Sequence, residues 1–264
     1  MNIKIGYVQS SPQFGEKERN FEEIAGLLNG IKANLIVLPE LFATGYTFTS
    51  IKEIELLAEE RGKAGPTFDF LKDISMQTGA IIVAGFIEKD NKNYYNASMM
   101  VYQDKLTGIY RKIQLFNKEK IWFTPGNKPL ENYNVNGINI GMMICFDWIF
   151  PEVCRSLALK GAQIIAHPSN LVMPYCQKAM VTRCIENRVF AVTANRTGEE
   201  KRGSDHFVFT GGSQITSFDG EVLSSAPPDK SFVDFIEINP DRSDNKKINE
   251  FNDLIKDRRP EFYF

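Results

Sequence analysis

The sequence predicts an α/β fold whose strands are buried on both faces, formed as one domain over residues 1–264. Short β-rich runs alternate with longer helical patterns, and several strands are continuous apolar runs such as NLIVL and AIIVAGF. No Ser-, Gly- or Pro-rich linker divides the chain. A chain of 264 residues can bury roughly 70–75% of the surface that its unfolded form exposes.

In the first half of the chain, alternation of apolar residues predicts strands, and apolar residues at three- and four-residue spacing predict helices. Pro39 stops the run at 34–38, which suits a short buried strand, and Pro66 is tolerated in the first turn of a helix. The polar turn at 103–107 joins an antiparallel pair. The predicted strands are 3–9, 34–38, 80–86, 97–102 and 108–113, and the predicted helices are 17–29, 51–61 and 66–78.

The second half repeats this mixture of strands and helices. A basic, Asn-rich segment then leads to the tail DRRPEFYF. The predicted strands are 137–145, 163–166, 189–195, 206–218 and 231–238, and the predicted helices are 151–160 and 174–187.

Charge and cysteine content exclude several classes of protein. The 31 Lys and Arg residues nearly balance the 33 Asp and Glu residues, so no bulk field favours nucleic acid or an anionic membrane. No apolar run approaches the ~18 residues of a membrane span, and the N-terminus lacks a signal-peptide pattern. The four cysteines form no CxxC motif and no disulfide framework, which indicates free thiols and a cytoplasmic protein.

The chain has two histidines, His167 and His206, and this count restricts the chemistry. A catalytic histidine base must be one of them, and a two- or three-histidine metal site needs both. His167 ends the strand QIIAH, where a core or strand-end role competes with a position in a pocket. His206 follows a glycine-rich, charged loop.

Cys145 is the candidate nucleophile. It ends a predicted apolar strand, and a helix begins near Pro151, so backbone N–H groups of the turn face the same space as its side chain. This geometry suits a thiol beside an oxyanion hole. The alternative is that Cys145 is a small buried hydrophobic residue, as we expect for Cys154, Cys176 and Cys184.

Glu40 and Lys112 are candidates for the charged partners that such a thiol needs. Glu40 directly follows the buried strand NLIVLP; the alternative is a helix-terminal charge or a surface salt bridge. Alternation places Lys112 on one face with Tyr110 and Gln114, where it can face a site; the alternative is an exposed edge-strand lysine.

Four motifs then occur in order: LPELFATGY around Glu40, YRKIQLF around Lys112, FTPG at 123–126 and MICFDWIFPE around Cys145. In this order and spacing they resemble the nitrilase superfamily of carbon–nitrogen hydrolases, which has a Glu–Lys–Cys triad. The resemblance continues through LALKGAQIIAHPSN, the stretch at 183–198 and the aromatic tail. It implies a four-layer α-β-β-α sandwich.

The resemblance also implies roles for site residues. Cys145 attacks an amide, carbamoyl or nitrile carbon, Glu40 acts as general base, and Lys112 stabilises the oxyanion together with a backbone N–H near Phe146. Glu119 is expected to position substrate or Lys112, the alternative being an exposed loop charge. Trp148 and Asn170 are expected to line the pocket, although Trp148 can equally be a packing residue. The sequence departs from the family at Gln114, where a histidine is common.

The implied reaction needs no cofactor and no metal, and its partner is a small-molecule amide, carbamoyl or nitrile substrate. The family implies a homodimer or higher homo-oligomer in which the tail, about 240–264, contributes contacts through Arg258 to Phe264; the alternative is a tail packed on its own subunit. A true nitrilase of small aliphatic nitriles, a catalytically inactive binding module and a metal-dependent amidohydrolase are the competing hypotheses. The stretch CFDWIFPE favours the nitrilase-like and carbamoyl-amine branches.

Overall fold

Two β-sheets lie face to face in the computed structural model, which describes residues 1–62 and 65–263. The strands are β1 (Ile3–Gln9), β2 (Leu35–Val37), β3 (Glu59–Glu60), β4 (Ile81–Asp90), β5 (Asn93–Tyr102), β6 (Lys105–Arg111), β7 (Asn132–Val135), β8 (Ile138–Met142), β9 (Ile164–Ser169), β10 (Phe190–Asn195), β11 (Glu199–Arg202), β12 (Asp205–Val208), β13 (Gln214–Thr216), β14 (Val222–Ser225) and β15 (Phe232–Ile238). The helices are α1 (Lys17–Leu27), α2 (Ile51–Leu57), α3 (Pro66–Thr78), α4 (Glu119–Trp122), α5 (Pro151–Leu159) and α6 (Cys176–Asn187).

The first sheet has the order β15–β1–β2–β4–β5–β6, and β3 also pairs with β4. Successive residues of its central strands face opposite layers because side chains alternate along a strand. On β2, Leu35 and Val37 pack toward the second sheet, whereas Ile36 packs with Ile24 of α1 and Leu71 of α3. Both faces are therefore covered, which explains why the strand is a continuous apolar run.

The second sheet has the order β14–β13–β10–β9–β8–β7, and its three central strands β8, β9 and β10 are parallel. Helices α5 and α6 pack on it through apolar side chains that include Val153, Leu157 and Met180. The layers thus run helices, sheet, sheet, helices. The predicted four-layer α-β-β-α sandwich is confirmed.

The predicted helix 51–61 is wrong in its last turn. Helix α2 ends at Leu57, and Glu59 enters β3, which pairs in parallel with β4. The Glu59 carboxylate accepts a hydrogen bond from Lys17 Nζ at 2.8 Å and further bonds from the backbone N–H of Thr67 at the start of α3. A buried ion pair that also caps a neighbouring helix outweighs the weak preference of Glu59 for continuing a helix.

The predicted strand 206–218 is also wrong, because it is two strands of different sheets. Strand β12 pairs with β11 in a separate hairpin, whereas β13 joins the second sheet beside β10. Between them, Gly211 and Gly212 adopt positive φ angles of 55° and 61°, a conformation that turns the chain and that glycine adopts easily. The sequence pattern also missed β7, β11 and β14.

No helix in the described part of the chain is long and apolar enough to cross a membrane.

Candidate active site

Glu40 lies in the loop that follows β2, at the edge of the sheet where parallel strands end. It is fully buried. Its Oε1 accepts hydrogen bonds from Lys112 Nζ and Asn96 Nδ2, both at 2.7 Å, whereas Oε2 has no partner among the described residues. Strand β4 passes close beneath this loop, because a Cβ added at Gly85 would lie 2.6 Å from Glu40 Cα. One carboxylate oxygen is therefore held in place and the other is free to accept a proton.

Lys112 follows β6, and the motif FTPG explains its position. The backbone N–H of Gly126 donates to the Lys112 carbonyl at 2.8 Å, and a Cβ at Gly126 would lie 2.3 Å from the carbonyl oxygen of Arg111. The ammonium donates to Glu40 Oε1 at 2.7 Å and to Glu119 Oε1 at 2.8 Å. Burial alone would lower the pKa of Lys112, but the two carboxylates raise it above its ordinary value, so the side chain is a cation.

Glu119 begins α4 and is buried, so it is not the exposed loop charge that was the alternative. Its Oε1 also accepts a hydrogen bond from Tyr46 Oη at 2.8 Å, and its Oε2 accepts one from the backbone N–H of Phe116 at 3.1 Å. Burial raises the pKa of Glu119 while Lys112 opposes the rise. Glu119 and Glu40 thus hold the ammonium of Lys112 together.

Cys145 lies between a strand and a helix, as predicted, but β8 ends at Met142 instead of residue 145, and Cys145 opens the short 3₁₀ helix Cys145–Ile149 before α5. Its φ angle of 40° is in the left-handed region, which costs a non-glycine residue of the order of 1–3 kcal/mol. The surrounding hydrogen bonds must hold this conformation in place.

The electrostatic surroundings of the Cys145 thiol come from the same charged residues. Burial raises its pKa well above the ordinary value; Glu40 raises it further, and Lys112 and the backbone N–H of Asn170 lower it. The resting group is therefore a neutral thiol, so its attack on a substrate must be accompanied by proton transfer to a base. The free oxygen of Glu40 is such a base.

His167 is buried and contacts the backbone of the turn at Cys145. Its Nε2 lies 3.0 Å from the carbonyl oxygen of Cys145, and its Nδ1 lies 3.1 Å from Thr193 Oγ1. Because the carbonyl only accepts, Nε2 carries the proton, and Thr193 donates to Nδ1. Burial lowers the pKa of His167 to about 4, so the ring is neutral and has the strand-end role. His206 lies in an exposed pair with Glu199.

Asp147 is a site residue that the sequence reasoning missed. It is fully buried and accepts hydrogen bonds from Tyr110 Oη at 2.7 Å, Ile144 N at 2.9 Å and Gln114 N at 3.1 Å. These bonds tie the Cys145 turn to the chain segment that follows Lys112. Burial raises the pKa of Asp147 to about 6. Its position two residues after Cys145, in CFDW, was the available signal.

A second buried ion pair holds the loop after Glu40. Arg196 Nη1 donates to Glu200 Oε1 at 2.8 Å, and Glu200 Oε2 accepts from the backbone N–H groups of Tyr46 and Thr47 at 3.0 and 2.6 Å. This loop carries Tyr46 to Glu119. Tyr46 stands inside the motif LPELFATGY, which contained the signal for it.

A narrow cavity opens beside Cys145. Trp148 and Asn170, which were expected to line the pocket, lie there together with Phe146, which was expected to contribute a backbone N–H. The other lining residues are Phe116, Leu171, Val172 and Met173. Across residues 1–62 and 65–263, no group of three or more His, Cys, Asp or Glu side chains is arranged to hold a metal ion.

The tail lies beside α5 and α6 of the same chain. Leu254, Arg258 and Tyr263 line a surface cavity together with Arg155 and Glu186. Phe262 and Tyr263 are exposed. Phe264, which was expected to contribute to a subunit contact, lies outside the described residues.

Comparisons with known proteins identify the family of the chain. The family model described as carbon-nitrogen hydrolase matches residues 4–245. The chain is 45% identical to a nitrilase of Pyrococcus abyssi over 99% of both chains, and 31% identical to an (R)-stereoselective amidase of Pseudomonas over 97% of this chain and 92% of the relative.

Among solved structures, a carbon–nitrogen hydrolase from Helicobacter pylori G27 superposes with a TM-score of 0.86 at 25% identity, covering 100% of this chain and 97% of that one. The match of the family model extends over most of the sequence, and the similarity to the nitrilase covers nearly all of it. The chain therefore belongs to the nitrilase superfamily of carbon–nitrogen hydrolases.

Proposed function

We propose that this protein is a cysteine-dependent hydrolase that cleaves the non-peptide C–N bond of a small amide or N-carbamoyl compound, releasing ammonia and the corresponding acid. The observation that carries the proposal is a buried charge array around one thiol. Lys112 is held between Glu40 and Glu119 at 2.7 and 2.8 Å, and all three charges act on the pKa of Cys145.

In the first half of the proposed reaction, Cys145 Sγ attacks the substrate carbon while Glu40 Oε2 takes the thiol proton. The π electrons of the C=O bond move to the carbonyl oxygen, and Lys112 with the backbone N–H of Phe146 stabilises the resulting oxyanion. The tetrahedral intermediate then collapses, the C–N bond breaks, and Glu40 returns the proton to the leaving nitrogen. The products of this step are ammonia and a thioester on Cys145.

In the second half, water attacks the thioester carbon and Glu40 takes a proton from the water. The C–S bond breaks, the acid leaves, and the sulfur recovers its proton from Glu40. The free Oε2 of Glu40 is the atom used in both steps, because Oε1 is occupied by Lys112 and Asn96. Glu119 takes no proton and keeps Lys112 in place.

Ammonia release from a panel of aliphatic amides, ω-amides and N-carbamoyl compounds tests this function. Cys145→Ala and Glu40→Gln should abolish turnover, by at least 10³-fold, with the fold intact by circular dichroism. Cys154→Ala is the matched control, because it removes another buried thiol that lies on α5 outside the cavity, and it should keep the rate. Substantial activity of Cys145→Ala would exclude it as the nucleophile.

A thiol-directed alkylating agent separates the enzyme from an inactive binding module on the same fold. The agent should modify Cys145 first, because Cys145 lines a cavity whereas Cys154, Cys176 and Cys184 are almost fully buried in the core. Equal labelling of all four cysteines, together with no ammonia from any amide, carbamoyl or nitrile compound, would favour the module.

Nitrile hydrolysis is the second candidate, supported by the 45% identity to a protein named nitrilase. Attack of the thiol on a nitrile gives a thioimidate at the same position, so the same charged residues serve both reactions. The comparison of kcat/KM for butyronitrile and butyramide, which share a carbon skeleton, distinguishes them. A nitrile value at least tenfold higher would assign the protein as a nitrilase.

We also propose a homodimer that uses α5, α6 and the tail. Exposed apolar side chains support it: Ile149 and Ile185 on or near these helices and Phe262 and Tyr263 in the tail. Size-exclusion chromatography with light scattering tests the proposal. A monomer at micromolar concentration would exclude it.

We place the protein in the cytoplasm, where thiols stay reduced. All four cysteines are free, which supports a reducing compartment. Cell fractionation tests this, and recovery in an oxidising compartment would contradict it.

A further inference from the structure

The cavity beside Cys145 has apolar walls. Its lining includes the aromatic residues Phe116, Phe146 and Trp148 and the aliphatic residues Leu171, Val172 and Met173. Among the described residues that line it, none carries a charged side chain. The charged residues Glu40, Lys112 and Glu119 pair with one another and do not line this cavity. A carboxylate or ammonium on the acyl part of a substrate would therefore be buried there without a counter-ion.

The size of the cavity limits the substrate as well. The space that a water-sized sphere can enter beside the thiol is about 10 Å³, which is room for about one water molecule in the present side-chain positions. A compact acyl group therefore fits with smaller side-chain movements than a large one. The aromatic contacts of Phe146 with Phe116 and Phe150, at centroid distances of 5.0 and 5.6 Å, keep the wall in place.

Asn170 is the exception to the apolar lining. Its side chain is 98% buried (2% exposed), and neither Oδ1 nor Nδ2 has a hydrogen-bond partner among the described residues. A buried amide without partners is costly, so its retention calls for a ligand that supplies them. The backbone around it is fixed, because the next N–H, of Leu171, donates to Asn195 Oδ1 at 2.8 Å. The amide thus offers a donating NH₂ group and an accepting oxygen in the cavity that Cys145 also lines.

We propose, building on the proposed hydrolase function, that the site selects compact, uncharged substrates and that Asn170 is a specificity-determining residue. Asn170 Nδ2 donates to a neutral polar group of the substrate, and Asn170 Oδ1 accepts from its NH₂ group. The apolar walls surround a short aliphatic acyl chain. Substrates with a charged ω-group are rejected because nothing on these walls pairs with the charge.

Matched substrates test the charge selection. Butyramide, succinamate and 4-aminobutyramide have similar lengths and differ in an uncharged, anionic or cationic end. In the wild type, kcat/KM for butyramide should exceed the values for the other two by at least 100-fold. Equal or higher values for either charged compound would overturn the inference while leaving the hydrolase function standing. If no amide, carbamoyl or nitrile compound releases ammonia and no acyl group forms on Cys145, the proposed function itself fails.

Asn170→Leu tests the amide, because leucine has a similar size and no polar atoms. The variant should lose at least tenfold in kcat/KM for butyramide, mainly through KM, and its Tm should equal or exceed that of the wild type, since an unpartnered buried amide is gone. A residue that merely supports the fold would instead lower Tm. A lower Tm, or an unchanged kcat/KM, would overturn the role of Asn170.

A charge introduced in the wall tests the selection by gain of function. Val172→Arg, at a partly buried position, should raise kcat/KM for succinamate relative to butyramide at least tenfold. Val222→Arg adds the same charge on an exposed position of β14 and should leave the ratio unchanged. Equal ratios in both variants would mean that the wall at Val172 does not contact the acyl end of the substrate and would overturn the assignment.

Discussion

Replacing His167 with glutamine should reduce the loss of folding stability that this protein undergoes as the pH falls from 7.0 to 4.5. His167 is neutral in the fold, and burial lowers its pKa from 6.5 to about 4. Between these two values the unfolded chain binds a proton that the folded protein does not, so stability falls as the pH falls. The gap of about 2.5 pH units, at about 1.36 kcal/mol each, amounts to roughly 3 kcal/mol.

The quantity to measure is the stability of the wild type minus that of His167→Gln, at pH 7.0 and at pH 4.5. Urea unfolding followed by tryptophan fluorescence gives both values. Glutamine can donate to the carbonyl of Cys145 as His167 Nε2 does, and it does not titrate. Between pH 7.0 and pH 4.5 the wild type should lose about 2–3 kcal/mol more of its unfolding free energy than the variant does. The contributions of the other titrating groups cancel, because both proteins contain them.

His206→Gln is the control for this experiment, because His206 is exposed and its pair with Glu199 contributes little to stability. This variant loses a histidine from the surface, so it shows how much of the measured change comes from the substitution alone. A wild-type minus His167→Gln difference that does not change with pH would refute the reasoning. It would mean that His167 titrates alike in the folded and unfolded states.

Other residues lead to further predictions. Burial raises the pKa of Asp147 to about 6, so the folded protein holds that proton more tightly than the unfolded chain, and wild-type stability falls as pH rises from about 4 to 6. Asp147→Asn should remove about 3 kcal/mol of this loss in urea unfolding; a difference independent of pH would contradict it. Gly126→Ala should lower the free energy of unfolding by about 1–3 kcal/mol and lower kcat, because its Cβ would lie 2.3 Å from the carbonyl oxygen of Arg111. Gly26→Ala is the control: it has free space around it and should not lower the free energy of unfolding. Arg196→Met leaves the buried carboxylate of Glu200 without its cation and should lower the free energy of unfolding by about 3–5 kcal/mol. A decrease below 1 kcal/mol in urea unfolding would show that the ion pair is solvated.

The strands were the most predictable part of the fold. Expected strand 3–9 matches β1, and expected strand 231–238 differs from β15 by a single residue. Apolar runs and alternation report burial directly, and burial on both faces is what a central strand of this sandwich requires. The helix expected at 51–61 was less predictable, because its end depends on the distant Lys17 and Thr67 that bind Glu59.

The candidate catalytic residues were predicted from motifs, whereas the supporting residues Asp147 and Tyr46 were not. Glu40, Lys112 and Cys145 each stand in a motif whose order and spacing can be read along the chain. Asp147 and Tyr46 stand in the same motifs, but their importance depends on bonds to residues far away in sequence. Tyr46 reaches Glu119 across 73 positions, a contact that no local pattern encodes.

The sequence by itself determined the alternation of strands and helices, the scarcity of histidine and the chemical types available at the ends of the strands, because composition and periodicity act locally. Only the tertiary structure decided which groups meet. Glu40 and Lys112 are 72 positions apart and are joined at 2.7 Å, and Asn170 loses its solvent without gaining a partner. These outcomes depend on how two sheets pack and desolvate the groups between their edges, where low polarity makes each pairing strong and each missing partner costly.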